Sequence, residues 1–180
     1  VIEWGKKMRF RVKPDVILMA RIDFSTDNLN HRLSLDESKD AIKAIISTDV
    51  EYQERLAVSA RIKKTRDPND PICGVGTSTL CMAANGDFYP CPGFQMKLGN
   101  INTNSVQDVW DNSTQIIELR NVKTSAYLKC LKCQSLEYCN ICMAKFYNES
   151  GGDIYKHSDH FCGVSHLNKE MAEDYQNLTR

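Results

Sequence analysis

The sequence of 180 residues contains no long apolar run and no excess of charge of one sign. No stretch approaches the about 18 to 20 consecutive apolar residues that span a bilayer, so we expect no membrane partner. Lys and Arg together number 23, as do Asp and Glu, which gives a formal net charge of zero. A chain without a basic field attracts nucleic acid weakly, and we expect no nucleic-acid partner.

An export signal is lacking as well. The first residues, VIEWGKKMRF, include neither an initiator Met nor the apolar core of a signal peptide. We therefore expect a cytoplasmic protein, and we expect the chain to be either the C-terminal part of a larger protein or one piece of a split one. Hydrophobic residues make up 42% of the sequence and charged residues 26%, which is typical of globular proteins.

Cysteine is absent from residues 1–72 and frequent after them. The eight cysteines are Cys73, Cys81, Cys91, Cys130, Cys133, Cys139, Cys142 and Cys162. Several lie in C-x2-C pairs, a spacing that lets two neighbouring thiolates bind one metal centre. Metal or cluster ligation is therefore the favoured interpretation, with four disulfides or inert thiols as the alternatives.

Residues 130–142, CLKCQSLEYCNIC, contain two C-x2-C pairs with only five residues between them. A zinc ribbon separates its pairs by about 15 to 20 residues, and the ferredoxin run C-x2-C-x2-C does not match either. His157, His160 and His166 follow, but thiolates are the softer ligands. The segment therefore needs ligands from elsewhere. Eight cysteines divide naturally into two sites of four thiolates, and each site is suited to a [4Fe-4S] cluster.

The N-terminal part predicts a strand, a loop and a helix in that order. Residues 8–19 alternate charged and apolar side chains before a short apolar run, which predicts one or two short strands. The polar residues 20–32 predict a loop. Ser34 and Glu37 fit the capping box of a helix. The apolar stripe of that helix is expected from Ile42, Ile45 and Ile46.

The boundary between two parts of the chain is expected at residues 66–72, RDPNDPI, after a second helix over residues 50–64. Beyond it, Asn85-Gly86 lies between two short apolar segments and predicts a β-hairpin with a two-residue turn. A further helix is predicted over residues 105–120, with Ser105 at its start. Its core contacts are expected from Val109, Ile116, Ile117 and Leu119.

Two more helices are predicted near the C-terminus. The first covers residues 143–150 and ends at Gly151-Gly152. The second covers about residues 165–177. Its apolar face is expected to comprise Leu167, Met171, Tyr175 and Leu178. The mixture of short strands and helices along the whole chain predicts an α+β fold.

The order and spacing of the cysteines resemble the SPASM domain, a C-terminal extension of many radical S-adenosylmethionine enzymes. A first Cys73 is followed by Gly86-x4-Cys91, and then by the run C-x2-C-x5-C from Cys130 to Cys139. Cys142 follows this run after two residues, where the family pattern has three. Cys162 supplies the last position, so the resemblance covers about residues 73–165.

This resemblance implies a crossed assignment of ligands to two auxiliary [4Fe-4S] clusters. Auxiliary cluster I would be bound by Cys73, Cys81, Cys91 and Cys142. Auxiliary cluster II would be bound by Cys130, Cys133, Cys139 and Cys162. Residues 67–180 would then form the SPASM domain, with its β-hairpin and short helices. Residues 1–66 resemble the last β/α units of a radical enzyme's partial TIM barrel.

The same resemblance implies a parent enzyme that modifies a peptide or protein substrate. The radical-generating motif C-x3-C-x2-C is absent from this sequence, so S-adenosylmethionine and a third [4Fe-4S] cluster would belong to an N-terminal barrel outside it. The chain alone is therefore expected to be catalytically inactive, and an external electron donor is an expected partner. Pro92 stands where sulfatase-maturing relatives have Asp, which favours crosslinking of a ribosomal peptide.

Two other functions fit the same cysteines. The chain would be a non-catalytic binding module if structural zinc occupied the thiolates. It would be an independent electron carrier similar to ferredoxin if its clusters served no attached enzyme.

Overall fold

The computed structural model describes residues 1–10, 12, 15–21, 23, 25–61 and 66–178. Its α-helices are α1 (Ile2–Lys7), α2 (Leu35–Thr48), α3 (Val50–Arg61), α4 (Val106–Asn112), α5 (Thr114–Asn121), α6 (Leu128–Leu131), α7 (Met143–Ser150) and α8 (Asp159–Leu178). Its strands are β1 (Cys81–Met82), β2 (Asp87–Tyr89) and β3 (Gly99–Asn100). Short 3₁₀ helices occupy Asp27–His31, Thr124–Tyr127 and Leu136–Tyr138. Within these residues, no helix is both long and apolar enough to cross a membrane.

The combination of helices with a small antiparallel sheet confirms the α+β class. The three strands lie in the order β1-β2-β3. The part of residues 1–66 that the structure describes contains helices but no strand. The partial TIM barrel expected there therefore stays a prediction.

The strands predicted over residues 8–19 are wrong for the part of this stretch that the structure describes. Arg9 has a φ of 58°, in the left-handed region where an extended strand cannot continue. The other described residues of the stretch form no regular structure, while Arg11, Lys13 and Pro14 lie outside the described residues. A strand needs a neighbouring strand for its backbone hydrogen bonds. The strands that the structure describes all lie within residues 81–100 and pair with one another.

Helix α2 begins at the predicted capping box. The Glu37 backbone N–H donates to Ser34 Oγ at 3.2 Å, and the Ser34 backbone N–H donates to Glu37 Oε2 at 2.8 Å. Ile42 and Ile45 are buried and Ile46 is half-buried, as the apolar stripe predicted. The predicted loop before this helix contains a 3₁₀ turn that the sequence did not indicate.

Helix α8, near the C-terminus, packs against helices from the N-terminal part of the chain. It begins at Asp159, six residues earlier than predicted, and it packs against α2 and α3. The Tyr52 hydroxyl of α3 donates to Asn168 Oδ1 at 3.0 Å. Leu35 of α2 lies so close to Gly163 that a Cβ at this glycine would come within 2.6 Å of it. The division of the chain into domains at residues 66 and 67 stays a prediction.

The other predictions for the C-terminal helices agree with the structure. Helix α7 ends at Gly151, whose φ of 75° is the left-handed cap that glycine adopts most readily. On α8, Met171 is buried, and Leu167 and Tyr175 are half-buried. The side chain of Leu178 lies outside the described part of the structure.

The predicted β-hairpin forms, but its turn is longer than two residues. Cys81 pairs with Tyr89 and Met82 pairs with Phe88. The Ala83 backbone N–H then donates to the Asp87 carbonyl, and the Gly86 N–H donates to the Ala83 carbonyl, both at 2.9 Å. Gly86 has a φ of 83°, so this is a three-residue loop with a left-handed glycine. The sequence did not predict β3, which pairs with β2.

The helix predicted over residues 105–120 is two helices. Ser113 separates α4 from α5, because its side chain accepts a hydrogen bond from the Ile116 backbone N–H and so starts a new helix. Three of the four predicted core residues are buried, namely Val109, Ile116 and Leu119. Ile117 was wrong as a core residue, since it is 37% exposed.

An apolar core lies beneath residues 130–142. Its largest members are Tyr127, Phe94 and Phe146, all of which are buried. Cys91, Cys130 and Cys142 pack against this core from outside. The core therefore supports cysteines from both of the predicted ligand sets.

We expect the adjacent residues Ile116 and Ile117 to differ sharply in their contribution to stability. Ile116 is 0% exposed, so Ile116→Ala should lower the free energy of unfolding by about 2–5 kcal/mol through a cavity. Ile117→Ala is the matched control and should change it by no more than about 1 kcal/mol. Urea unfolding at equal metal content, followed by circular dichroism, measures both. Equal losses would contradict the packing of α5.

Candidate metal centre

The first group of thiols lies beside the β-hairpin. Burial raises the pKa of both Cys73 and Cys91, and the nearby Cys142 thiol raises each further. Cys73 also raises the pKa of Cys91. The structure therefore brings these three predicted ligands of one cluster close enough to interact electrostatically.

Backbone N–H groups face two of these thiols. Hydrogen bonds from Val75 to Cys73 and from Gly93 to Cys91 act against burial and lower each pKa, because an N–H donor favours the thiolate. Metal ligation needs the same thiolate form. The loops after both cysteines are therefore suited to present a thiolate to a metal.

Cys142 reaches the first group from a different part of the chain. It is the N-cap residue of α7, and its backbone is extended at φ −134° and ψ 107°. The Cys142 thiol interacts electrostatically with both Cys73 and Cys91.

The second group contains the remaining cysteines of that segment. Burial raises the pKa of Cys130 to about 11, and the Cys139, Cys162 and Cys133 thiols add to the increase in that order. Burial also raises the pKa of Cys162, with further contributions from Cys139 and Cys133. All four ligands predicted for the second cluster therefore lie near one another.

Tight turns position the second group. The Cys133 N–H donates to the Cys130 carbonyl at 3.0 Å, and the Cys139 N–H donates to the Leu136 carbonyl at 3.1 Å. The Ser135 N–H donates to Cys133 Sγ at 3.4 Å. Cys162 comes from the first turn of α8. The segment thus supplies three thiols of the second group, and α8 supplies the fourth.

A cavity of about 370 Å³ opens between this segment and helices α3 and α8. Four of the eight cysteines line it, namely Cys130, Cys139, Cys142 and Cys162. Polar side chains that also line it include Tyr52, Arg55, Lys145 and Asn168. Cys142 therefore borders the cavity of the second group while its thiol interacts with the first.

Cys81 is placed differently from the other predicted ligands. It lies on β1 opposite Tyr89 of β2. Its thiol is not among the groups that raise the pKa of Cys73 or Cys91. The structure therefore assembles three of the four ligands predicted for the first cluster.

The donor set suits an iron–sulfur cluster. No disulfide joins the eight cysteines, all of which the structure describes. Among the described residues, no three His, Cys, Asp or Glu side chains are arranged to hold a single metal ion. Cysteine thiolates are the usual ligands of [4Fe-4S] clusters, so eight unpaired cysteines suit iron–sulfur binding.

The structure adds two residues that the sequence did not assign. His157 Nε2 lies 2.9 Å from Cys130 Sγ, although the two residues are 27 positions apart. Arg32 forms an ion pair with Glu149 in which both side chains are largely buried, and its guanidinium lies 5.2 Å from the centre of the Phe161 ring. Neither contact follows from a spacing in the sequence, because each joins separate segments.

One protein-family model matches part of this chain. The model of the SPASM family, described as an iron–sulfur cluster-binding domain, matches residues 73–134. The match includes five of the cysteines and ends before Cys139, Cys142 and Cys162. The match agrees with the predicted resemblance over these residues and supports iron–sulfur cluster binding there. Searches of curated proteins and of solved structures found no match.

The raised pKa of Cys130 predicts slow alkylation of the metal-free protein. With a pKa of about 11 in the folded protein and an ordinary value of 9.0, the thiolate fraction at pH 8 falls about 100-fold on folding. Iodoacetamide labelling of Cys130, followed by peptide mass spectrometry, should show this difference between the native and urea-unfolded protein. The native rate should keep rising with pH up to about 11, while the unfolded rate levels off near 9. Equal rates and equal pH profiles would contradict the buried position of this thiol.

Proposed function

We propose that this chain is the auxiliary-cluster region of a radical S-adenosylmethionine enzyme and holds two [4Fe-4S] clusters. One observation carries the proposal: the Cys142 thiol interacts electrostatically with Cys73 and Cys91, whereas Cys130 interacts with Cys133, Cys139 and Cys162. A simple local site would group all four cysteines of residues 130–142. The division supports the crossed pattern of a SPASM domain with two clusters.

Auxiliary cluster II is proposed to be bound by Cys130, Cys133, Cys139 and Cys162. Their mutual effects on pKa and the surrounding cavity support this set. Phe146 and Phe161 form part of the cavity wall and would limit the access of water. The buried pair of Arg32 and Glu149 would keep the start of α8, and with it Cys162, in place.

Auxiliary cluster I is proposed to be bound by Cys73, Cys91, Cys142 and Cys81. The first three have the support of their electrostatic interactions. Cys81 is assigned from the SPASM pattern alone, since its thiol is not among the groups that raise the pKa of Cys73 or Cys91.

Bound clusters supply one-electron redox chemistry at potentials that the protein sets. The chain's own residues bind the irons, exclude water with aromatic side chains and donate hydrogen bonds to sulfur. Lys145 and Arg55 place positive charge at the cavity. Positive charge near a cluster favours its reduced state, so these side chains would make the second site easier to reduce.

The substrate is proposed to be a peptide or protein. Radical formation would occur in an N-terminal barrel that binds S-adenosylmethionine on a third cluster, since the C-x3-C-x2-C motif is absent from this sequence. Crosslinking of a ribosomal peptide is favoured over sulfatase maturation, because Pro92 has no carboxylate to act as a base. An external electron donor would complete the redox cycle.

We expect iron analysis of paired variants to reveal the crossed ligation. Reconstituted anaerobically, the unchanged protein should be brown and bind about eight irons per chain. Changing Cys91 and Cys142 together to Ala should remove one cluster and leave about four irons. Changing Cys142 and Cys162 together should remove both clusters, because these two residues would serve different sites.

Lys132→Ala is the matched control, since Lys132 is exposed between Cys130 and Cys133, and this variant should keep all its iron. The crossed assignment fails if the Cys142 and Cys162 double variant retains one cluster. A colourless protein that binds zinc would instead indicate the binding module. Full clusters in a protein encoded without any radical-generating partner would indicate the electron carrier.

A further inference from the structure

We propose that His157 is a positioning residue for auxiliary cluster II and holds its reduction potential at a more positive value. Its Nε2–H would donate a hydrogen bond to the Cys130 thiolate. This inference rests on the proposed binding of that cluster by Cys130. It concerns a side chain that lies outside the cysteine pattern and outside the matched residues 73–134.

The contact itself is direct. His157 Nε2 lies 2.9 Å from Cys130 Sγ. An iron-bound thiolate carries no proton and only accepts hydrogen bonds. The proton of this contact must therefore reside on Nε2, which makes the imidazole the donor.

Aromatic packing fixes the orientation of the imidazole. Its ring centre lies 4.9 Å from that of Phe146 at an angle of 44°, and 6.3 Å from that of Tyr127 at 76°. Tyr127 is itself buried, and its hydroxyl donates to the Ile154 carbonyl at 2.8 Å. The histidine is thus held against a rigid wall, with Nε2 directed at the sulfur.

The direction of the effect follows from charge. Reduction adds an electron to the cluster and increases the negative charge on its thiolates. A hydrogen bond donated to sulfur therefore stabilises the reduced state more than the oxidised state and raises the potential. The Ser135 N–H makes a longer contact of 3.4 Å with Cys133 Sγ in the same group. His157 adds a side-chain donor, directed at Cys130, to this backbone donor at Cys133.

His166 offers a matched control on α8. Its Nδ1 lies 2.7 Å from Ser135 Oγ, so it contacts a serine side chain and not a cysteine. Replacing it removes an imidazole of the same size close to the same segment. The cluster potential should respond little to this change.

The test compares His157→Phe with His157→Gln and His166→Phe in the anaerobically reconstituted protein. Phe preserves an aromatic ring between Tyr127 and Phe146 but has no donor, whereas Gln places an amide N–H at the same distance along the side chain. Redox titration followed by electron paramagnetic resonance gives the midpoint potential of each cluster. We expect Phe to lower the equilibrium constant for reduction of one cluster at least tenfold, or 59 mV for one electron, and the other two variants to stay close to the unchanged protein.

An unchanged potential in His157→Phe, with both clusters present, would overturn the inference. Loss of four irons in that variant would also overturn it, because His157 would then be a ligand. In the unchanged protein labelled with ¹⁵N-histidine, a weak nitrogen coupling to the reduced cluster supports the hydrogen bond. A coupling as large as that of a direct Fe–N bond, or none, would overturn it without any variant. If the unchanged protein holds fewer than two clusters, the proposed function fails before His157 is tested.

Discussion

The packing of Tyr127 against Phe146 is the interaction on which both groups of thiols depend. Their ring centres lie 6.0 Å apart at an angle of 38°. Tyr127 directly precedes α6, which carries Cys130, and Phe146 lies one turn inside α7, whose N-cap is Cys142. This contact fixes the two ends of residues 130–142 relative to each other, so that the segment can supply ligands to two separate centres.

Burial disfavours the thiolate form of several cysteines, and a bound metal would offset this effect. The raised pKa values of Cys73, Cys91, Cys130 and Cys162 mean that the metal-free protein keeps these sulfurs protonated. Iron binding would release those protons and form metal–sulfur bonds in which the metal neutralises the charge of each buried thiolate. The backbone N–H groups near Cys73 and Cys91 already favour the charged form. We therefore expect the folding of residues 73–162 to be coupled to metal binding.

The sequence predicted features that depend on neighbouring residues. The capping box at Ser34 and the glycine that ends α7 depend on a few adjacent residues, and the cysteine spacing is read from the sequence itself. The failures have local causes: Arg9 has a left-handed φ of 58° that interrupts a strand, and Ser113 starts a separate helix on which Ile117 is 37% exposed. His157 could not be predicted, because only the packing of Tyr127 and Phe146 brings it to Cys130.

The central claim is that Cys142 and Cys162 serve different iron centres, although both border one cavity. Anomalous scattering at the iron edge, measured from crystals of the reconstituted protein, tests it most directly. The account predicts two iron centres, with Cys142 and Cys91 bonded to one and Cys162 and Cys130 bonded to the other. A single centre, or one centre bonded to both Cys142 and Cys162, would contradict it.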